Sequence, residues 1–595
     1  MKHATLPVLI AVVLTIFMGV TRWQNLSEEP LIQTDGQGYH AYLPAVFIYQ
    51  DLQFSFVDSV VPNYYPKEKL ANYVVTSEAG NVNKYFVGTA IVQAPFFLVG
   101  CAISWVAGAP VDGYSWPFQL ISGIAAIFSL CLGLWYVGKL LIGLGFGLGV
   151  TNTTLVFIAF GTNLLYYTLY EPSMSHVYSF LTVSAFLFYS WTALTQQRGK
   201  ALIMAAVALG ITVLIRPING LVILGIPAIT SGLFGTLSGL ETFIKEQKHL
   251  FYAIAIGLLI VLIQPLIYFL QTGAPFVWSY QEEGFNFFTP ELYNVLFSYR
   301  KGLFIYCPIL LLAVIGMFSG LSKEKARYAW LLVALSLVSW VVASWWMWYY
   351  GGCYGHRAFI EYYPLFAIGM AYVLQRGWWV FGPWIFALLG VGLIGIQLVQ
   401  TYQYESNIIP FDNMSKARYW NLFLRTGDDL QWYYLADARQ NKYLGIDSLF
   451  ISHSLESEKG WGNERQRTNE LAYQGEYSAI MNAEDKYGLT VRKNVSELSI
   501  SPSLVRVSAM VNSNSATTDL SFVCAVEDSS GTSYFWKSRP LRVQFDCREE
   551  WSRVSAVFKC GFPLNLTDRF TIYPMKSDGA TVYFDDVEVS FVKAR

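Results

Sequence analysis

The carboxylate of Asp35 stands in an unusual setting, "TDGQGYHAYLPAVF" (residues 34–47), a glycine- and tyrosine-rich stretch just past the first apolar run of the chain. Two kinds of work suit it. Aspartate commonly caps a helix by accepting hydrogen bonds from its first free N–H groups, and a helix beginning near Gly36 or Gly38 fits that use. A carboxylate at a membrane–water boundary can also act as general base toward an acceptor hydroxyl. The two roles are compatible. Behind Asp35 the stretch reads as an amphipathic helix lying on the membrane surface, with Tyr39 and Tyr42 at headgroup level.

Lys84, Arg216, Arg300, Lys301, His356 and Arg357 all fall at ends of apolar segments. Any one of them alone reads as a snorkelling side chain that grips lipid headgroups. Several converging beside one carboxylate would make a phosphate cradle, arginine giving bidentate contacts and lysine a point charge. In "SYRKGLFIYCP" and "GGCYGHRAF" the cations stand against glycine just as the chain re-enters an apolar run. Further candidates are Glu171 and His176 in "YEPSMSHVYSF", Glu282 and Glu283 in "SYQEEGFNFF", and Glu361. Each reads either as a satisfied structural group or as a partner for sugar hydroxyls and for the Asp35 loop. No His, Asp or Glu grouping has compact metal-ligand spacing, so a divalent metal is not favoured and no cofactor is expected. The sequence has no P-loop, HExxH or GxSxG motif and no GxGxxG placed before a helix, which leaves nucleotide chemistry without support.

The class of scaffold that must hold these residues follows from composition. Of 595 residues 54% are hydrophobic and 14% charged, with mean hydropathy +0.38, against roughly 25% charged in soluble domains. Apolar runs centre on residues 5–21, 86–107, 117–139, 148–168, 177–195, 201–234, 250–270, 303–320, 328–346, 358–375 and 378–400. Most approach the roughly 20 residues needed to cross a bilayer. Within 201–234, Arg216-Pro217 in "IRPING" breaks a helix, giving two short spans. If 86–107 lies along the interface, Lys139, Arg198, Lys200, Lys245, Lys248, Lys323, Lys325, Arg327 and Arg376 all fall inside, as the positive-inside rule asks. If it crosses, all of them flip outward. The first arrangement is therefore expected, and Pro95 and the polar start of that segment agree with a juxtamembrane helix. It sets the first outer loop (23–116), residues 170–176, 271–302 and 345–364, and the half-span end at Arg216 on one outer face. The expected fold is a polytopic α-helical membrane protein of about 11 transmembrane helices with juxtamembrane helices in the first outer loop.

The opening "MKHATLPVLIAVVLTIFMGV" has no small-x-small cleavage site and reads as an uncleaved first span. A net charge of −1 and a pI near 6.6 give no sign of a nucleic-acid partner. The 19 Trp, 39 Tyr and 41 Phe suit interfacial belts or sugar-stacking surfaces. From about residue 405 the chain turns polar, and from about 498 it alternates with period two between "SSG" and "SDG" turns, which reads as an antiparallel β-sandwich. The expected organisation is a transmembrane catalytic domain over 1–402, a linker over 403–435 and an outer-face all-β domain over 436–595. Cys101, Cys131 and Cys307 lie in or beside apolar runs, while Cys524, Cys547 and Cys560, an odd three, permit at most one disulfide.

Over about residues 1–400, "DGQGYHAYLPAVF", "YEPSMSHVYSF", "LFSYRKGLFIYCP" and "YGHRAFIEYYP" resemble the GT-C fold glycosyltransferases. That superfamily includes the protein O-mannosyltransferases and the lipid A aminoarabinose transferase, and the form here looks like that of Bacteroidetes-type bacterial members. The resemblance implies a multi-pass enzyme of the bacterial inner membrane with its C-terminal domain in the periplasm. Its donor would be a polyprenyl-phosphate sugar, and its acceptor a hydroxyl of a glycan, lipid or protein. Asp35 matches the first-loop acid that deprotonates the acceptor, and attack would invert the anomeric carbon. Lys84, Arg216, Arg300, Lys301 and Arg357 would then steady the charge growing on the lipid phosphate. Tyr39, His40, Glu171, His176, Glu282, His356 and Glu361 are the candidates for touching sugar or acceptor, or for orienting those groups.

Many relatives carry an Asp-Glu pair where this chain has Asp35-Gly36, and a single acid favours a metal-independent reaction. The tail "ATVYFDDVEVSFV" resembles the last strands of jelly-roll carbohydrate-binding modules, with Tyr534, Trp536, Trp551 and Tyr583 as sugar-stacking or core residues. Two other classes stay open at this point. A transporter or flippase of glycolipids calls for polar mid-membrane residues and paired broken helices, where only "IRPING" interrupts a span. A non-catalytic scaffold for envelope assembly would tolerate loss of Asp35.

Overall fold

The computed structural model describes residues 5–23, 30–65, 70–77, 79–406, 408–412, 414–426, 447–453, 466–498, 502, 504–513, 520–541, 551–560, 564–577 and 579–593. Cys547 and residues 407, 413 and 427–435 of the expected linker lie outside the described residues. The chain divides into two compact units, one of Met1–Tyr404 with Phe411–Ser415, the other of Glu405–Pro410 with Lys416–Arg595.

The first unit is helical. Among the described residues six helices are long and apolar enough to cross a membrane: Gly88–Ala107, Trp116–Gly143, Ser175–Gln196, Lys248–Thr272, Lys325–Ala343 and Trp384–Glu405. The pair Pro217–Ile229 and Leu233–Lys245, bent by 99°, makes a seventh if taken as one span. Six or seven full-length candidates thus stand where about 11 were expected. Part of the difference lies in how proline and glycine cut apolar runs, while Thr5–Thr21 is one unbroken helix of only 17 residues. The run 303–320 divides around Pro308 into Leu303–Tyr306 and Leu310–Gly320, and 148–168 divides after Gly161 into Leu148–Phe160 and Leu164–Leu169. At "IRPING" the break falls where the sequence places it. Gly199–Ile215 ends with Arg216 extended (φ −153°, ψ 119°), and Pro217 opens a 3-10 run to Gly225.

The helix Asp35–Phe47 corrects the expected surface helix. Gly36 through Ala45 are all buried, because the rest of the first loop folds over them as an aromatic core with Phe54, Tyr65, Tyr73, Tyr85, Phe97, Tyr114 and Phe118. Tyr42 donates to the Tyr85 carbonyl at 2.8 Å instead of reaching a headgroup. Nor is Asp35 the cap. Thr34 holds that position and Asp35 is the first helical residue.

The following helix, Gly88–Ala107, is long and apolar enough for a span, and the chain both before and after it returns to Asp35–Phe47. Tyr85, just before it, pairs with Tyr42, and a Cβ on Gly88 would collide with the backbone of Leu214 and Ile215, where Gly199–Ile215 ends. After it, Gly113 packs on Pro44 and accepts from His40 Nε2 at 2.8 Å. The next helix opens beside it, with Gln119 Oε1 accepting from the Leu31 and Ile32 N–H groups at 2.9 and 2.8 Å. The segments on either side of Gly88–Ala107 therefore both pack on Asp35–Phe47.

The second unit is all β. One antiparallel sheet runs Ser552–Lys559, Leu504–Ser513, Val582–Lys593, Ser478–Met481, Arg467–Thr468, with Asp447–His453 also paired to Val582–Lys593. The other runs Val491–Asn494, Arg569–Lys576, Leu520–Glu527, Ser533–Pro540. Alternate residues such as Val505, Val507, Phe522, Cys524, Phe570, Ile572, Val589 and Phe591 share one core, as the alternation of side chains along a strand requires. Cys524 and Cys560 are free and buried. Tyr534 and Trp536 are 46% and 52% exposed. Trp551 packs on Tyr473, and the Tyr583 hydroxyl donates to Glu470 at 3.1 Å.

Candidate active site

Asp35 is delivered by a tight local packing. Gln33 and Thr34 dock on residues 170–174, with Gln33 Nε2 donating to the Tyr170 carbonyl at 3.0 Å and the Ser173 hydroxyl to the Leu31 carbonyl at 3.1 Å. Thr34 takes φ 52°, ψ −139°, a conformation a β-branched residue adopts only under compulsion. Gly36 is required here because a Cβ would collide with Ser173 Oγ. This accounts for Asp35-Gly36 where the resemblance leads one to expect a second acid: position 36 faces Ser173 and has no room for a side chain. Gly36→Ala is expected to cost about 1–3 kcal/mol through overpacking. A thermal melt of the purified protein checks this, and Ser173→Gly in the same chain should recover part of the loss.

Three cations and three carboxylates gather around one cavity of about 380 Å³. Arg357, at the start of the turn Arg357–Tyr362, places a guanidinium nitrogen 2.9 Å from Asp35 Oδ2, and a third of the Asp35 side chain's surface stays open. Lys84 Nζ lies 2.6 Å from Glu283 Oε1 and over the Tyr280 ring at 5.3 Å. Arg216 sits 3.1 Å from Glu361 Oε1, which His176 Nδ1 also approaches at 3.0 Å. Lys84, Arg216, Arg357, Asp35, Glu283, His176 and Tyr39 all line the cavity, and Glu361 is fully buried behind it. Much of the remaining lining is apolar and aromatic, with Trp278, Phe285, Trp345, Trp346 and Met347.

The electrostatics follow from these pairings. Burial pushes the Asp35 carboxyl up, but the Arg357 guanidinium, a hydrogen bond with the Tyr85 hydroxyl and the Lys84 charge outweigh it and hold the group below the ordinary carboxylate value. Burial likewise works against the charge on Arg357, and Asp35 more than restores it. Asp35 is therefore ionised at neutral pH, facing cations. Among the described residues no three His, Cys, Asp or Glu side chains converge to hold a metal, and the surroundings of Asp35 do not make a metal cage.

Several expected site residues lie elsewhere. Arg300 pairs with Asp412 at 2.6 Å and stacks on Tyr349 at 3.3 Å. Lys301, 2% exposed, donates to the carbonyls of Cys353 and Phe411. Both are tied to the loop around 349–353 and to 411–412, so their adjacency to glycine marks a structural clamp. Lys301→Met leaves two buried carbonyls without that donor and should cost about 1–3 kcal/mol in a thermal melt while ligand affinity is kept. His40 is turned to Gly113 and lowered to about 4 by burial. His356 Nε2 lies 3.1 Å from the Trp348 carbonyl, and its ring is lowered to about 3, chiefly by burial. Neither ring lines the cavity. Glu171 is buried outside the cavity lining, with its charge acting on Arg357. Glu282 is exposed, and its neighbour Glu283 is the one that turns in. Tyr85, Tyr280, Tyr350 and the Trp345-Trp346 pair were not singled out in the sequence. Of these, Tyr85 had a visible signal, its place directly after Lys84.

No protein-family model matches the chain, and no curated protein matches it. Among solved structures it is similar to an oligosaccharyltransferase from Archaeoglobus fulgidus, determined with Zn and sulfate, at 9% identity over 96% of this chain and 97% of that one, TM-score 0.38. It is similar to arabinosyltransferase EmbB from Mycobacterium smegmatis at 10% identity over 98% of this chain and 64% of that one, TM-score 0.36. A quarter of the chain (25%) is similar to nearly all (97%) of the xylan-binding domain CBM22-1 of Xyn10C from Paenibacillus barcinonensis, at 21% identity and TM-score 0.19. At these TM-scores the similarities fix neither a family nor an activity for this chain.

Proposed function

We propose that the protein is an inverting glycosyltransferase that moves a sugar from a polyprenyl-phosphate donor to a hydroxyl acceptor, with Asp35 as general base. The observation that carries this reading is one ionised carboxylate facing Arg357, Lys84 and Arg216 in a single cavity with an apolar wall. A phosphate needs the cations, a polyprenyl chain needs the apolar side, and a hydroxyl nucleophile needs the base.

In the reaction the acceptor O–H gives its proton to Asp35 and the oxygen attacks the anomeric carbon. The bond from that carbon to the phosphate oxygen breaks, its electron pair staying on the phosphate. A diester monoanion thereby becomes a monoester with one more negative charge, and Arg357, Lys84 and Arg216 receive that charge. Before the donor arrives, Asp35 and Glu283 occupy Arg357 and Lys84 in its place. When the phosphate engages Arg357, Asp35 loses part of its ion pair and gains proton affinity at the moment it must act as base.

The site would face the periplasm of a bacterial inner membrane, the side opposite the basic loops at Lys139, Arg198, Lys200, Lys245, Lys248, Lys323, Lys325, Arg327 and Arg376. The test is sugar transfer by the purified protein in lipid nanodiscs, offered polyprenyl-phosphate sugars in one arm and nucleotide sugars in the other, with an envelope extract as acceptor. Transfer from the lipid donors supports the reading, and transfer from the nucleotide sugars alone overturns it.

The β unit would bind glycan. Trp536 projects from the outer face of the four-stranded sheet, its indole N–H donating to the Tyr573 hydroxyl at 3.1 Å, so the exposed ring is anchored at one edge and available for stacking. Trp536→Ala should weaken retention on immobilised envelope glycan by about tenfold and leave the transfer rate from lipid donors unchanged.

A further inference from the structure

We infer that His176 is a sugar-recognition residue of the cavity. Its Nε2 accepts a hydrogen bond from a hydroxyl of the bound donor sugar, and Glu361 acts as the positioning residue that fixes the ring. The inference rests on the lipid-linked sugar reading above and specifies how the sugar is held.

Glu361 is buried at 0% exposure, and its Oε1 meets both His176 Nδ1 and Arg216. A carboxylate engaged by a guanidinium is ionised and only accepts, so His176 Nδ1 must carry the hydrogen it shares. In the neutral ring this leaves Nε2 a bare acceptor. The ring lines the cavity, packs edgewise on Tyr167 at 5.1 Å, and has no partner for Nε2 among the described residues. A lone pair aimed into a cavity repels phosphate, which has Arg357 and Lys84 to go to. It suits a hydroxyl hydrogen. Arg216 is held by the same carboxylate and also lines the cavity, so a donor and an acceptor face one space. A sugar hydroxyl, which both donates and accepts, fits that pair. The carboxylate that joins them comes from residues 145 and 185 positions away in sequence, so the arrangement cannot be read from either motif alone.

The test uses the full chain in nanodiscs and two kinds of ligand, polyprenyl phosphate and a panel of polyprenyl-phosphate hexoses. His176→Leu should weaken binding of the best hexose lipid about tenfold, the value of one lost hydrogen bond, and leave bare polyprenyl phosphate within about twofold. His176→Gln, whose amide oxygen can take the place of Nε2, should recover part of the loss. A purely structural role would move both lipids together. Wild-type protein supplies a second measurement that does not depend on a variant's folding. Diethyl pyrocarbonate should modify His176, mapped by mass spectrometry, and the hexose lipid should protect it more than bare polyprenyl phosphate does. Equal loss of affinity for both lipids, or equal protection by both, overturns the assignment. Failure of the wild type to bind any polyprenyl phosphate overturns the underlying reading, and the assignment with it.

Discussion

Asp35→Asn should lower kcat for transfer by roughly 10²–10⁴-fold, the range a positioned general base contributes, with KM for the lipid donor changed by no more than a few-fold. Asparagine keeps the shape of the side chain and can still receive a hydrogen bond from Arg357, which pairs with Asp35 at 2.9 Å. It cannot take a proton. Loss of rate with retained binding therefore isolates the proton transfer from the packing, which Thr34, Gly36 and Ser173 set independently. A structural Asp35 gives the opposite pattern. Removing a carboxylate that merely occupies Arg357 frees that cation for phosphate, so the donor would bind more tightly and turn over unhindered. Initial rates at saturating and limiting donor separate the two outcomes.

Arg357→Gln should cost about 10²–10³-fold in kcat, as expected when one preorganised donor to a developing charge is removed. Lysine at the same place should recover only part of it, since a point charge does not match a phosphate edge as a guanidinium does. The same variant moves the pH profile in a direction fixed by the site. Transfer needs Asp35 as the carboxylate, and Arg357 is the strongest influence holding its pKa down against burial. In the wild type the acid limb of kcat/KM therefore lies below the ordinary carboxylate range. Without Arg357 burial is opposed only by Tyr85 and Lys84, the pKa rises, and the acid limb moves to higher pH. A limb that stays in place, measured with the variant's residual activity, would mean that the titrating base is not Asp35.

Much of this site could be read from the sequence because membrane proteins place charge sparingly. Asp35, Lys84, Arg216 and Arg357 stood at ends of apolar runs, and the helix break at Arg216-Pro217 followed from proline alone. The same signal also picks out Arg300 and Lys301, which do not line the cavity. Their partners, Asp412 and the carbonyls of Cys353 and Phe411, lie 52 to 112 residues along the chain, and nothing in "SYRKG" announces them. The helix after Asp35 carried enough tyrosine and glycine to look like a surface helix. Its burial depends on Tyr73, Tyr85, Phe97 and Tyr114 closing over it, a tertiary event with no local trace. Gly36 was visible only as a missing acid, and its reason is Ser173, brought in from the "YEPSMSH" stretch. Glu361 was one more acid in an aromatic run. Only the structure makes it the joint between Arg216 and His176.

The central claim is direct displacement at the anomeric carbon with a single carboxylate serving as base, and the product's stereochemistry tests it most directly. Transfer from an anomerically pure polyprenyl-phosphate sugar, with the product's configuration read by the anomeric proton coupling in NMR, should show inversion. Retention would contradict the account, because it requires either a covalent step through a protein nucleophile or attack from the face the phosphate leaves, and neither is a direct backside displacement by a hydroxyl that Asp35 deprotonates.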